Sequence, residues 1–250
     1  MILIMTMTAI LFQDINKTFQ TGFKKYPVLH DISFQVNKGE IFGFLGPNGA
    51  GKSTCIKILL NFIQPGSGQI FIDDIQVGKN NFQHLIGYLP ETPCFYENLT
   101  GLETLVFAGR TSGMKKDLIH DAAQNVLKRL DLDTAGDKLI KAYSKGMKQR
   151  LGIAMALIHD PDIFILDEPM SGLDPMGRKL VTDVILELKQ RGKTVFFSSH
   201  ILSDIEKLCD RIGILNRGKL LYTGSTNNIT DHNDNDVEKA FIKLIELDEN

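Results

Sequence analysis

The segment from Gly46 to Thr54 constrains the fold more than any other part of the sequence, because it fits the pattern G-x-x-x-x-G-K-[S/T]. It follows five residues, Ile41 to Leu45, that predict a strand, and it precedes a helix-compatible run, Thr54 to Phe62. Glycines let the backbone curl so that its N–H groups point at phosphate oxygens, and a helix N-terminus adds the positive end of its dipole. The segment therefore predicts a phosphate-binding loop, or P-loop, made of Gly46, Pro47, Asn48, Gly49, Ala50, Gly51, Lys52, Ser53 and Thr54.

Strand-like and helix-like segments alternate along the rest of the chain. Short β-rich runs lie at residues 32–36, 41–45, 70–72, 163–166, 194–197 and 211–215. Three of them are apolar on both faces, as in the central strands of a sheet covered on both sides: 41–45, 163–166 and 194–197. Helical periodicity appears between these runs, at residues 119–130 and 180–188. The alternation predicts an α/β fold.

The pattern also predicts how the chain is divided. Residues 92–158 are mostly helical in character, so we expect a helical subdomain inserted into a core of residues 1–91 and 159–226. Residues 227–236 are rich in Asn and Asp and predict a linker. Apolar residues spaced along 237–245 then predict an amphipathic helix at the end of the chain. The apolar first residues are expected to run into a first strand, with Met5 or Met7 as a possible start.

The charge balance, the cysteines and the apolar stretches argue against several classes of function. Lys and Arg number 28 against 30 Asp and Glu, and a net charge of −2 gives no electrostatic reason to expect a nucleic acid partner. The three cysteines, Cys55, Cys94 and Cys209, are scattered, which indicates a reducing compartment and no structural zinc site. No stretch approaches the roughly 18 apolar residues of a transmembrane helix, so the chain is not expected to cross a membrane by itself.

Three further segments carry chemistry downstream of the P-loop. The apolar run 163–166 leads directly into Asp167 and Glu168, where Asp167 suits a Mg²⁺ contact and Glu168 can activate water. Ser144 is a plausible N-cap for the helix that follows it, and a helix N-terminus beside an unhindered glycine is an anion site. His200 ends another buried run and is either structural or placed to contact a terminal phosphate.

Together these segments resemble the nucleotide-binding domain of ATP-binding cassette (ABC) transporters, over about residues 8–224. The resemblance implies a P-loop NTPase core, with a mostly parallel sheet, an N-terminal antiparallel β part and the inserted helical subdomain. Residues 1–226 would then be one nucleotide-binding domain. ATP is the expected ligand, and Mg²⁺ is expected with it. Phe19 is the expected adenine-stacking residue, although residues 20–25 resemble a short insertion, which leaves Phe23 or Tyr26 as alternatives.

The resemblance also assigns catalytic and metal-binding residues. Glu168 is implied to be the catalytic base, and His200 corresponds to the switch histidine. Ser53 and Asp167 are implied metal ligands, together with Glu91 at the lid position called the Q-loop. The family usually has glutamine at that position. A glutamate keeps an oxygen for Mg²⁺ or water but loses the amide donor and adds a charge.

The family signature is implied at Ser144, Lys145, Gly146 and Met147, and the D-loop at Asp174. The usual signature reads Leu-Ser-Gly-Gly-Gln, so Lys145 replaces a glycine and Met147 a glutamine. Because a cation beside bound phosphates attracts them, Lys145 is expected to tighten nucleotide binding. These departures resemble the branch of the family that works with separately encoded export-type permeases, including drug- and antibiotic-resistance exporters.

The resemblance implies partners as well. Two nucleotide-binding domains form a head-to-tail dimer, either of two copies or with a paralogue, in which the signature of one covers the ATP of the other. An integral-membrane permease would hold the dimer at the cytoplasmic face of the membrane. A soluble ABC ATPase without a transport function, such as one for iron–sulfur assembly, is the alternative. A P-loop kinase is disfavoured by the combination of Glu168, His200 and the signature.

Overall fold

The computed structural model describes residues 8–226 and 237–249. The predicted start of the chain and the predicted linker at 227–236 lie outside these residues. In chain order the strands and helices are β1 (Thr8–Thr21), β2 (Lys24–Asn37), β3 (Ile41–Leu45), α1 (Lys52–Leu59), β4 (Ser67–Ile72), β5 (Ile75–Gln76), β6 (Ile86–Leu89), α2 (Gly101–Thr111), α3 (Lys116–Arg129), α4 (Lys145–Leu157), β7 (Ile163–Asp167), α5 (Pro175–Gln190), β8 (Thr194–Ser199), α6 (Leu202–Leu208), β9 (Arg211–Asn216), β10 (Lys219–Ser225) and α7 (Val237–Glu249).

The described chain divides into two compact units. The first unit consists of the residues up to 83 and from 194 onward, and the second unit consists of residues 84–193. The second unit contains all of the predicted helical region 92–158, and it also contains β6, β7 and α5. The predicted boundaries of the helical subdomain stay a prediction.

The first unit combines an antiparallel and a parallel arrangement of strands. The antiparallel sheet has the order β2-β1-β4-β5. In the second arrangement, β3 pairs in parallel with both β8 and β9, and β10 adds to β9 in antiparallel fashion. β3 and β8 are buried along their whole length, which explains why their sequences are apolar on both faces.

Aromatic rings fill the core of the first unit. Phe34 stacks at a centroid distance of 4.4 Å on Phe12, and at 5.5 Å on Phe42 and 5.4 Å on Phe44. Phe196 lies 6.2 Å from Phe34. Because these rings come from β1, β2, β3 and β8, Phe34 packs the antiparallel sheet against the parallel strands.

The second unit is built on a parallel pair, β6 and β7, with helices α2 to α5. The apolar side of α3 is buried at Ile119, Ala123, Val126 and Leu127, and that of α5 at Val181, Val184, Ile185 and Leu188, as the helical periodicity predicts. α2 starts with a capping box, in which Thr100 and Glu103 each satisfy the other's backbone N–H group. No helix in the described part of the chain has the length and apolar content that crossing a membrane requires.

Replacement of Phe34 tests the role of the aromatic cluster. We expect Phe34→Ala to lower the free energy of unfolding by about 3–5 kcal/mol, because it removes a large side chain from a packed core. Phe34→Leu keeps more of the volume and should cost less. Chemical denaturation measures both values, with Phe23→Ala as the matched control, since Phe23 is 105% exposed. A loss below about 0.5 kcal/mol for Phe34→Ala would contradict the packing role.

Candidate active site

The P-loop joins the buried strand β3 to helix α1 in the first unit. Gly51 is the N-cap of α1 and has φ of 110°, a left-handed conformation that favours glycine. No side chain caps this helix, and its first turn carries no acidic residue. Its first backbone N–H groups therefore lie at an N-terminus suited to an anion.

Lys52 lies inside the curve of the P-loop. Its ammonium group donates hydrogen bonds to the carbonyl oxygen of Gly46 at 2.6 Å and to that of Pro47 at 3.3 Å. The side chain is buried, with 7% of the residue exposed. The loop thus holds a cation next to the helix N-terminus, and both features favour negative charge in the same place. Ser53 and Thr54 follow within the first turn of α1.

His200 leaves the sheet of the first unit beside the P-loop. In the parallel pairing of β3 with β8, Leu45 lies opposite Ser199, so Gly46 and His200 each follow the last paired residue of neighbouring strands. The Ser199 hydroxyl accepts a hydrogen bond from the Ile201 backbone N–H at 3.0 Å, which supports the turn around His200. His200 itself is exposed.

The candidate adenine-binding residues lie on the hairpin formed by β1 and β2. Phe19 is directly opposite Tyr26 in the strand register, so the two rings share one face of the hairpin. The Lys17 ammonium lies 5.1 Å from the centroid of the Phe19 ring. Phe23 belongs to the turn, where the supposed insertion at residues 20–25 forms the tip of the hairpin.

The second unit carries the acidic residues of the candidate site. In the parallel pairing of β6 with β7, Leu89 lies opposite Leu166, so Glu91 and Asp167 emerge at the same edge of the pair. Glu91 is exposed, whereas only 5% of Asp167 is exposed. Burial, together with the negative charge of Asp167, raises the pKa of Tyr88 to about 12. Tyr88 therefore stays neutral beside the carboxylate.

Glu168 adopts a backbone conformation that is uncommon for a residue with a side chain. Its φ is 50°, in the left-handed region. The side-chain amide of Gln149 lies 3.3 Å from the carbonyl oxygen of Glu168 and 3.3 Å from that of Pro169. Gln149 is only 4% exposed. The sequence pattern does not indicate this role of Gln149, because its partner carbonyls lie 19 and 20 residues further along the chain.

The signature segment opens helix α4 in the second unit. Ser144 is the N-cap, as predicted, and its hydroxyl accepts a hydrogen bond from the Met147 backbone N–H at 3.2 Å. Ser144 and Lys145 are exposed. A Cβ atom added to Gly172 would lie 2.6 Å from Cε of Lys145, so the lysine stem runs along the backbone of Gly172.

Asp174 has a local structural role that the sequence analysis did not include. It is the N-cap of α5, and its carboxylate accepts a hydrogen bond from the Gly177 backbone N–H at 2.7 Å. Pro175 occupies the first helical position, where a missing N–H group costs nothing. The cap fixes the end of the segment that runs from Glu168 to Asp174.

The predicted site residues fall into two groups. The first unit carries Phe19, the P-loop and His200, and the second unit carries Glu91, the signature, Asp167, Glu168 and Asp174. Among the described residues, no group of three or more His, Cys, Asp or Glu side chains forms a metal cluster. Ser53 in the first unit and Asp167 in the second each carry an oxygen atom of the kind that binds Mg²⁺.

Known proteins resemble this chain in both sequence and fold. The ABC transporter family model matches residues 29–171. An ABC transporter ATP-binding protein of Synechocystis is 46% identical over 220 residues, covering 85% of this chain and 61% of that protein. The bacitracin transport ATP-binding protein BcrA of Bacillus licheniformis is 48% identical over 193 residues, covering 76% of this chain and 62% of BcrA. The chain thus spans about three fifths of the length of these two relatives.

A solved structure of an ATP-binding subunit of an ABC transporter superposes with a TM-score of 0.85. It is 30% identical and the match covers 95% of this chain and 99% of that one. The predicted fold class, an α/β P-loop NTPase with parallel and antiparallel strands, is confirmed. Both the family match and the shared fold agree with the motifs at Gly46–Thr54 and Ile163–Asp167. The chain belongs to the ABC transporter family and carries its ATP-binding domain.

Proposed function

We propose that this chain binds and hydrolyses ATP to power a separately encoded membrane permease of the export type. The observation that carries the proposal is the pair Asp167 and Glu168 at the end of β7, one carboxylate buried and the next held with φ of 50°. A buried Asp suits a fixed metal ligand, and an adjacent Glu suits a general base for water. Similarity to BcrA, a bacitracin transport protein, supports the exporter branch.

Different residues are proposed for binding the triphosphate and for hydrolysing it. The P-loop would bind the triphosphate through the N-terminus of α1, with Lys52 exchanging the carbonyl oxygens of Gly46 and Pro47 for phosphate oxygens. Ser53, Asp167 and Glu91 are the proposed ligands of Mg²⁺, which offsets phosphate charge when bound. His200 is proposed to contact the terminal phosphate, and Glu168 to accept the proton of the attacking water.

The proposed working unit is a dimer, because one chain has one P-loop and one signature. The N-terminus of α4, with Ser144 and Gly146, is proposed to bind the ATP held by a second chain, either another copy or a paralogue. ATP would then favour the closed dimer, and hydrolysis would release it. In this proposal the dimer lies on the cytoplasmic face of the membrane, bound to the permease, with no nucleic acid partner. The non-transport alternative has no supporting observation.

The Glu168→Gln variant tests ATP hydrolysis. We expect its turnover to fall by roughly 10²–10⁴-fold, because the amide cannot accept the proton of water. ATP binding should persist, and the variant should form a stable dimer with ATP in size-exclusion chromatography with light scattering. Glu187→Gln is the control, since Glu187 lies on α5 in an ion pair with Arg129. Turnover at the wild-type rate in Glu168→Gln would refute the assignment.

Fluorescence can identify the residue that stacks on adenine, because the chain contains no tryptophan. Phe19→Trp, Phe23→Trp and Tyr26→Trp each introduce a single fluorophore. We expect ATP to quench the Phe19→Trp signal most strongly, and the Phe23→Trp signal least, because Phe23 lies at the exposed hairpin tip. A response confined to Phe23→Trp would overturn this choice.

The segment between β6 and α2 is the proposed docking site for the permease. Tyr96 is 73% exposed there, whereas Phe95 is half-buried. We expect Tyr96→Ala to reduce co-purification with the permease while the ATPase activity of the isolated chain is kept. Phe107→Ala is the matched control, since Phe107 is 51% exposed on α2 in the same unit. Equal loss of co-purification in both variants would argue against a specific site at Tyr96.

A further inference from the structure

Helix α4 contacts the segment after β7 at two points on one of its faces. Lys145 and Gln149 are four residues apart, which places them one above the other on the helix surface. Gln149 reaches the carbonyl oxygens of Glu168 and Pro169, each at 3.3 Å. Lys145 lies along the backbone of Gly172, with Cε 2.6 Å and Cδ 3.0 Å from where a Cβ would be. We call these two side chains the α4 bracket.

The amide of Gln149 is fixed in this position by its surroundings. The carbonyl oxygens of Glu168 and Pro169 can only accept hydrogen bonds, so the NH₂ group of Gln149 must face them. The residue is 4% exposed, and a buried amide that lost these partners would have little water to replace them. The carbonyl of Glu168 accepts a second hydrogen bond, from the Ser171 backbone N–H at 3.0 Å.

The segment held by the bracket needs external support. Glu168 has φ of 50°, a conformation that residues with a side chain adopt only when their surroundings impose it. Gly172 has φ of +71° and lets the lysine stem approach closely. The bracket thus contacts the backbone at both ends of the segment from Glu168 to Gly172.

We propose that Lys145 and Gln149 are positioning residues that hold Glu168 in its reactive orientation. The inference rests on the proposed catalytic role of Glu168. Ser144 caps the N-terminus of the same helix and is proposed to bind the ATP of a second chain, so the bracket would link that ATP to the Glu168 of its own chain. The lysine contributes through its aliphatic stem, a contact that the glycine usual at this signature position cannot make.

Gln149 is tested by two variants of different size and charge. Gln149→Ala removes both hydrogen bonds, and we expect kcat for ATP to fall about tenfold while the Kd of a fluorescent ATP analogue stays nearly unchanged. Gln149→Glu keeps the shape but places carboxylate oxygens against the two carbonyls, so kcat should fall further. Lys148→Ala is the control on the same helix, because Lys148 instead pairs with the exposed Glu97 at 2.7 Å.

Lys145 is tested by separating its stem from its charge. Lys145→Met keeps the stem, so we expect it to lose less kcat than Lys145→Gly, which removes the stem and should lose several-fold. If charge attraction for phosphate were its main role, Lys145→Met and Lys145→Gly would weaken ATP binding alike. Gly172→Ala, which displaces the stem, should lower kcat less in the Lys145→Gly background than in the wild type.

The results for the Gln149 and Lys145 variants test this inference separately from the proposed function. If Glu168→Gln is inactive while both Gln149 variants keep the wild-type kcat, the bracket is refuted and the ATPase proposal stands. Equal loss in Lys145→Met and Lys145→Gly would also refute the stem contact. Lys145 is exposed, so its variants remain informative even if the Gln149 variants fail to fold. Wild-type activity of Glu168→Gln would remove the proposed function itself.

Discussion

The first turn of α1 carries backbone N–H groups that no side chain caps, because the N-cap residue is Gly51. The backbone N–H groups of a helix N-terminus favour an anion, and Lys52 places a positive charge in the same loop. Two paired strands position this loop. β3 leads into it, and β8, paired in parallel with β3, ends beside it at Ser199. The buried aromatic cluster around Phe34 holds these strands in place.

Helix α4 presents a second N-terminus of a different kind. Its first turn is capped by the Ser144 hydroxyl, and the side chains of Lys145 and Gln149 extend from it toward the Glu168–Gly172 segment. A serine hydroxyl can both accept from the helix and donate to a phosphate, so the cap does not prevent anion binding. In the proposed dimer, the P-loop of one chain would bind the phosphates and the N-terminus of α4 would bind the nucleotide of the second chain. This division is the physical basis for proposing a dimer.

Local patterns predicted much of the fold. Residues 41–45, 163–166 and 194–197 were predicted as buried strands because their side chains are apolar on both faces, and they lie in β3, β7 and β8. β6 and β10 were not predicted. β6 is only four residues long and contains Gly87, and β10 is partly exposed, so neither shows a clear apolar pattern. The cap at Ser144 was predicted because capping depends on adjacent residues.

The features that the sequence did not predict depend on contacts between distant residues. Gln149 binds a carbonyl 19 residues away, and nothing near Gln149 in the sequence signals that contact. The left-handed φ of Glu168 is likewise imposed by packing, since neither glutamate nor the proline that follows it favours that conformation. The stem contact of Lys145 with Gly172 also required the structure, because the sequence suggested only its charge.

The central claim is that the ATP site is completed by a second chain. The specific ATPase activity of the purified chain, measured against chain concentration, tests it most directly. If two chains form each site, the activity per chain should rise with concentration and level off when sedimentation shows a dimer with ATP bound. A constant activity per chain at concentrations where sedimentation shows only monomer would contradict the account.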